Sequence, residues 1–196
     1  MRRIIALSLA ATALFGLTAC STSATVDHSG HADHTTPAAT ADYSSADLMF
    51  AQMMIPHHQQ AVDISFMALA NTQNADVRTL AESIITHQST EVMTLKSWLD
   101  AAGAKLDESH SMHMQGMLTD TQLAELEAAK DAQFNTLWLS GMIMHHEGAV
   151  VMAEDVTDSA NEEVSHFAEH VIEDQTAEIK KMKDLLGLLT VSSQGD

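Results

Sequence analysis

One stretch of this chain occurs twice, and that duplication limits what the chain can fold into more than any other feature. The first copy reads Met54-Ile55-Pro56-His57-His58-Gln59-Gln60-Ala61-Val62, and the second reads Met142-Ile143-Met144-His145-His146-Glu147-Gly148-Ala149-Val150. The copies lie 88 residues apart, and upstream Phe50 falls on Trp138 at the same offset. A second matched block follows each copy at an offset of 87, where Ile84 to Val92 falls on Val171 to Ile179. In that block Gln88 matches Gln175 and Glu91 matches Glu178. Duplication on this scale means two copies of one supersecondary unit. The two His pairs are therefore predicted to meet across a pseudo-twofold axis.

The unit itself is helical. Apolar residues recur at alternating steps of four and three, the seam of a packed helix. In the first helix, near residues 44–71, the seam is Phe50, Met54, His57, Ala61, Ile64 and Ala68. Ser44 followed by Asp47 reads as its capping box. Pro56 falls inside this helix and is expected to remove a backbone hydrogen bond and bend it. The second helix, near 75–102, carries Val77, Leu80, Ile84, Gln88, Glu91, Leu95 and Trp98, and Gly103 ends it. Residues 103–118 form a crossover. A short helix follows, capped by Thr119 or Asp120 and running to Ala129. Two further long helices are predicted near 131–157 and 162–189, with seams through His145 and through Gln175 and Glu178. Two helical hairpins joined by a longer connection make an all-α four-helix bundle. Few aromatics (4%), two prolines and 13 methionines suit that class.

The remaining segments give the domain organisation. Arg2 and Arg3, the apolar run Ile4–Phe15 and Leu17-Thr18-Ala19-Cys20 read as a secretory leader over residues 1–19, too short for a membrane span. Leu-Thr-Ala-Cys resembles the bacterial lipobox, so Cys20 is the expected lipidation site and the anchor to the cell membrane. It is the only cysteine, which leaves no thiol for a disulfide. Residues 20–43 lack apolar periodicity and read as a disordered tether. Its His28, His31 and His34 could collect metal ions weakly. The bundle is expected over 44–190 and a short tail over 191–196. Without the leader the chain carries 27 acidic against 7 basic residues, which argues against nucleic-acid binding and favours cations.

Counting outward from the two hairpin turns puts His57 level with Gln88 and His145 level with Gln175. One turn further lie Met54 with Glu91 and Met142 with Glu178. His58 and His146 lie about a hundred degrees round their helices and can turn to the neighbouring helix. So many polar groups in a core cost several kcal/mol unless paired. Two solutions exist. One is a closed network in which each Glu accepts from a His and each Gln bonds across. The other is a metal site, which the duplicated Met-x-x-His-His opposed by Gln-x-x-Glu favours. Thioether with imidazole suits copper, Cu(I) above all. Met53, Met54, His57, His58, Met142, Met144, His145 and His146 are the candidate ligands, with Glu91 and Glu178 beside them. The crossover repeats the chemistry in Met112, His113, Met114 and Met117, with His110 nearby. A dinuclear iron centre is the alternative, but its Glu-x-x-His pattern occurs once, at Glu163 and His166. A purely structural or partner-binding lipoprotein is a third reading. No Ser-His-Asp order, phosphate loop or nucleophile motif is present, and no catalytic residue is assigned.

At these motifs the sequence resembles the bacterial domain-of-unknown-function family 305, over about residues 44–189. The resemblance rests on Met-Met-Ile-Pro-His-His-Gln-Gln-Ala-Val-Asp and the later Met-x-x-His-His-Glu-Gly-Ala. It implies a ferritin-like four-helix bundle. Some members are periplasmic copper-binding proteins linked to copper resistance. By resemblance the family's motif positions are Met53, Met54, His57, His58, Met142, Met144, His145, His146 and Glu147. The combined expectation is an exported lipoprotein that binds copper for buffering, delivery or resistance.

Overall fold

The computed structural model describes residues 42–107 and 114–192. The leader, Cys20, His28, His31, His34, His110, Met112 and His113 lie outside the described residues. Every described element falls within one compact unit, Pro37–Asp196.

Local chemistry sets the helix ends. Ser44 Oγ accepts from the Asp47 amide at 3.1 Å and Asp47 Oδ2 accepts from the Ser44 amide at 2.7 Å, the reciprocal box that starts α1 (Ser45–Asn71). Asn74 caps α2 (Ala75–Ala101), accepting from the amides of Asp76 and Val77 at 3.1 Å. Gly103, at φ +64°, supplies the left-handed residue just past its end. Thr119 and Gln122 form a second capping box for the short α3 (Asp120–Ala128). The last two helices are α4 (Asp131–Glu154) and α5 (Glu162–Ser192). α4 stops before the expected Thr157. Its end tightens into bonds from the Val156 amide to Ala153 O and from the Ser159 amide to Val156 O, both 3.1 Å. α1 runs through Pro56 without interruption.

The helices pair as α1 with α2 and α4 with α5, and α1 packs on α4. Trp138 Nε1 donates to Ile64 O at 3.0 Å, and Ser159 Oγ donates to Asp47 Oδ1 at 2.8 Å. Residues after His57 therefore lie beside residues before His145, so α1 and α4 run antiparallel. Trp98 Nε1 donates to Glu163 Oε1 at 2.8 Å and ties the end of α2 to the start of α5. This is the all-α four-helix bundle of two duplicated hairpins that the periodicity predicts, with α3 in the crossover.

The apolar core comes in two clusters. One holds Ile64, Leu80, Ile84, Trp138, Met142 and Met182, and the other holds Phe50, Met54, Leu95, Trp98, Met152 and Val164. Each fully buried large side chain contributes about 1.5–3 kcal/mol. Met54 belongs to one cluster and Met142 to the other. Between these methionines in the matched motifs lie the histidines.

Candidate metal centre

His57 and His58 on α1 and His145 and His146 on α4 are all buried. Antiparallel packing about the duplicated motif puts His57 against His145, with ring centroids 3.8 Å apart and planes inclined at 37°. Each histidine lies 6.3 Å from its sequence neighbour, centroid to centroid. His58 and His146 turn outward to the partner helix of their own hairpin. His146 Nε2 donates to Glu178 Oε2 at 2.9 Å. His58 Nε2 lies 2.8 Å from Glu91 Oε2, an ion-pair distance without hydrogen-bond alignment. Glu91 is also more open to solvent, 17% against 8% for Glu178.

His57 finds a different partner. Its Nε2 bonds the carbonyl of Gln115, in the crossover, at 3.1 Å. A carbonyl only accepts, so the ring carries its hydrogen on Nε2 and leaves the Nδ1 lone pair open. Glu178 does the same for His146. An imidazole whose one N–H is held by a carboxylate or carbonyl while the other nitrogen stays open is the arrangement of a metal-ligating histidine.

Among the described residues, six of the eight ring nitrogens of the four histidines, and both amide ends of buried Gln88 and Gln175, make no aligned hydrogen bond; one of the six, His58 Nε2, is the nitrogen beside Glu91. Of the closed network, the Glu–His half forms and the Gln–Gln half does not. Each unpartnered buried polar atom costs about 1–3 kcal/mol. Burial pushes the His57 imidazole down to about 3; His58 adds to the depression and the Gln115 carbonyl opposes it. His145 is lowered well below the ordinary histidine range, first by burial and then by His57, His146 and His58. Both rings are neutral at pH 7, the state that binds metal.

The crossover sits directly on this layer. Met114 to Met117 form a turn closed by the Met117 amide on Met114 O at 3.3 Å, with Gly116 at φ +87°. Gln60 grips the next residue twice: its Oε1 accepts from the Leu118 amide at 2.7 Å and its Nε2 donates to Leu118 O at 3.0 Å. On the α4 side a side chain at Gly148 would meet Gln115 O at 2.1 Å. Sequence reasoning passed over Gln60 and Gly148. The signal was there: they occupy matched positions of the two motif copies and differ, because one crossover serves both.

Of the other predicted site residues, Met54 and Met142 are fully buried and Met53 is half-buried. Met114 and Met117 are half-buried in the docked turn. Met144, 36% exposed, lines a cavity of about 280 Å³ between α3 and α4. Glu147 points outward and pairs with Lys183 at 2.9 Å. Glu163, which the iron alternative needs, accepts from Trp98 Nε1 at 2.8 Å and from the Tyr43 hydroxyl at 3.3 Å, in contacts that tie α2 and the chain before α1 to the start of α5. His166 is exposed. Among the described residues no three His, Cys, Asp or Glu side chains converge as a ready-made metal site. The matched motifs that carry the buried imidazoles also carry the buried thioethers of Met54 and Met142, which are soft donors.

Fold and site together define a helical-bundle protein with a buried, duplicated histidine layer. The chain belongs to the DUF305 family: the model described as "Domain of unknown function (DUF305)" matches residues 47–186. A DUF305 protein of Streptomyces coelicolor, described as secreted, is 32% identical with a TM-score of 0.71, covering 74% of this chain and 94% of its own. A DUF305 fragment from Deinococcus radiodurans is 31% identical with a TM-score of 0.70, covering 74% and 97%. CopM in its Cu(II)-bound form is 31% identical with a TM-score of 0.63, covering 72% and 95%. CopM has also been solved bound to Cu(I) and to silver. No curated protein matches the chain. No helix among the described residues is long and apolar enough to cross a membrane.

Proposed function

We propose that this chain is an exported copper-binding protein that holds the ion, Cu(I) in preference, as cargo for buffering, delivery or resistance. One observation carries the reading: four buried histidines whose Nδ1 atoms make no hydrogen bond among the described residues, with the His57 and His146 rings held by an acceptor that leaves Nδ1 open. His57, His58, His145 and His146 supply the imidazoles. Met54 and Met142 are the proposed thioethers beside the layer, with Met53 on α1, Met144 on α4 and Met112, His113, Met114 and Met117 in the crossover as further candidate donors. Glu91 and Glu178 act as outer carboxylates that orient His58 and His146. Thioether and imidazole select Cu(I) over hard divalent ions. Copper- and silver-bound CopM supports the same class of ion. The secreted relative and the leader support export, and Cys20 is the proposed lipid anchor.

The test is a competition titration of the mature chain with Cu(I), Cu(II), Zn(II) and Fe(II). Tight Cu(I) binding that disappears in the double variant His57→Ala/His145→Ala, with helix content retained, supports the reading. Preference for Fe(II), or Cu(I) affinity unchanged in that variant, sinks it.

A further inference from the structure

We propose that Gln60 and Gly148 are positioning residues for the metal site: together they seat the crossover so that the Gln115 carbonyl fixes the ring of His57. The inference rests on the copper reading for its purpose, but its geometry stands without metal.

The matched motifs are related by the pseudo-twofold, yet the chain has one crossover. Something must break the symmetry where that segment meets both helices. It breaks at Gln60 and Gly148, which occupy the same motif position. On α1, Gln60 uses both ends of its amide on the Leu118 backbone, at 2.7 and 3.0 Å. That grip satisfies a donor and an acceptor of an otherwise irregular segment. On α4, the bare Cα of Gly148 lets the turn come down onto the helix. A Cβ there would fall 2.1 Å from Gln115 O and 2.8 Å from the Cα of Gly116. Gly116 is fitted from its own side, since a Cβ would lie 2.7 Å from Met144 O and 2.9 Å from His145 O. Leu118 closes the fit against Gly141, where a Cβ would meet its Cδ2 at 3.1 Å.

What the fit delivers is one carbonyl. Gln115 O lies 3.1 Å from His57 Nε2. In α4 the corresponding work on His146 is done by the carboxylate of Glu178. His57 has no carboxylate at hydrogen-bond distance among the described contacts, so a backbone carbonyl brought in by the crossover takes that place. Outer partners of this kind fix which ring nitrogen is open and how the ring points, and their loss typically costs 10–100-fold in metal affinity. The turn that carries Gln115 also carries the half-buried Met114 and Met117, so the same seat sets where those two methionines sit.

The experiment uses the mature chain, metal-free and Cu(I)-loaded, as wild type, Gln60→Ala and Gln60→Met. Gln60→Met keeps the side-chain volume and removes both hydrogen bonds. Nitrogen-15 spectra of the histidine rings report the His57 tautomer, and amide exchange reports the Leu118 N–H. The expected result in both variants is faster exchange at Leu118, loss of the single Nε2–H tautomer at His57, and a Cu(I) affinity about 10-fold weaker. Gly148→Ala is expected to do the same more severely. An unchanged His57 tautomer in Gln60→Met overturns the proposal, and so does a changed tautomer with Cu(I) affinity intact. If the wild type binds no Cu(I) while the tautomer still responds to Gln60, the copper reading fails and the positioning of His57 by the crossover stands.

Discussion

The rings of His57 and His145 lie against each other inside the bundle, centroids 3.8 Å apart and planes inclined at 37°, with no hydrogen bond from ring to ring. They come from matched positions of the two copies, on antiparallel helices. Two neutral imidazoles in that relationship stabilise the apo fold little, because His57 Nδ1 and both nitrogens of His145 have lost water without gaining an aligned hydrogen bond among the described residues. The layer is a local cost to folding, of the kind concentrated at functional sites.

A variant that removes the cost should show it. Neither ring nitrogen of His145 makes an aligned hydrogen bond among the described residues, and its polar contact is the backbone of His57. His145→Leu, of similar bulk and apolar, is expected to raise the stability of the metal-free protein by about 1–3 kcal/mol while weakening Cu(I) binding. Denaturant unfolding with and without Cu(I) checks this. A variant less stable than wild type in the absence of metal contradicts the account.

The buried rings also set a pH dependence. His57 is held at about 3 in the folded chain, against an ordinary 6.5. The unfolded chain takes up a proton as pH falls below about 6.5, and the folded chain does not until near 3. Its contribution is therefore complete above pH 6.5 and declines as pH falls, at up to about 1.4 kcal/mol per pH unit. His145 is lowered too and acts with the same sign. Metal-free stability measured from pH 7 to pH 5 should fall in wild type and fall less steeply in His57→Leu/His145→Leu. Equal slopes would show that these rings do not titrate on unfolding.

The two outer carboxylates should differ. Glu178 accepts a hydrogen bond from His146 at 2.9 Å, whereas Glu91 sits 2.8 Å from His58 without alignment and more exposed. Glu178→Gln is expected to weaken Cu(I) binding by about 10-fold or more, and Glu91→Gln by less. Competition titration of the two variants side by side decides it, and the reverse order contradicts the assignment.

Much of this was legible before the fold was seen. The step of four and three placed Phe50, Met54, His57 and Ala61 on one buried face, and equal distance from a turn set His57 level with Gln88 and Met54 with Glu91, whereas the pairs the structure shows are His58 with Glu91 and His146 with Glu178. Ser44 with Asp47 marked the start of α1 as the structure has it. The crossover was not legible in the same way. Its docking depends on Gln60 reaching a backbone 58 residues away and on the missing side chain of Gly148. Neither has a periodicity to announce it. Met144 sits in a motif position yet faces the cavity beside α3, because the same helix turn that aims His145 inward aims its neighbour out. The comparisons with solved relatives give the iron alternative no support, and the contacts of its Glu163 were not legible either. The Glu163 carboxylate is spent on Trp98 and Tyr43, partners far away in sequence.

The most direct measurement is X-ray absorption at the copper edge of the Cu(I)-loaded mature chain, repeated on His57→Ala/His145→Ala. The account predicts a Cu(I) edge with both sulfur and imidazole neighbours in the wild type, and loss of the imidazole scattering in the variant. A site showing sulfur alone, or imidazole scattering that survives the double substitution, would place the copper elsewhere and contradict the central claim.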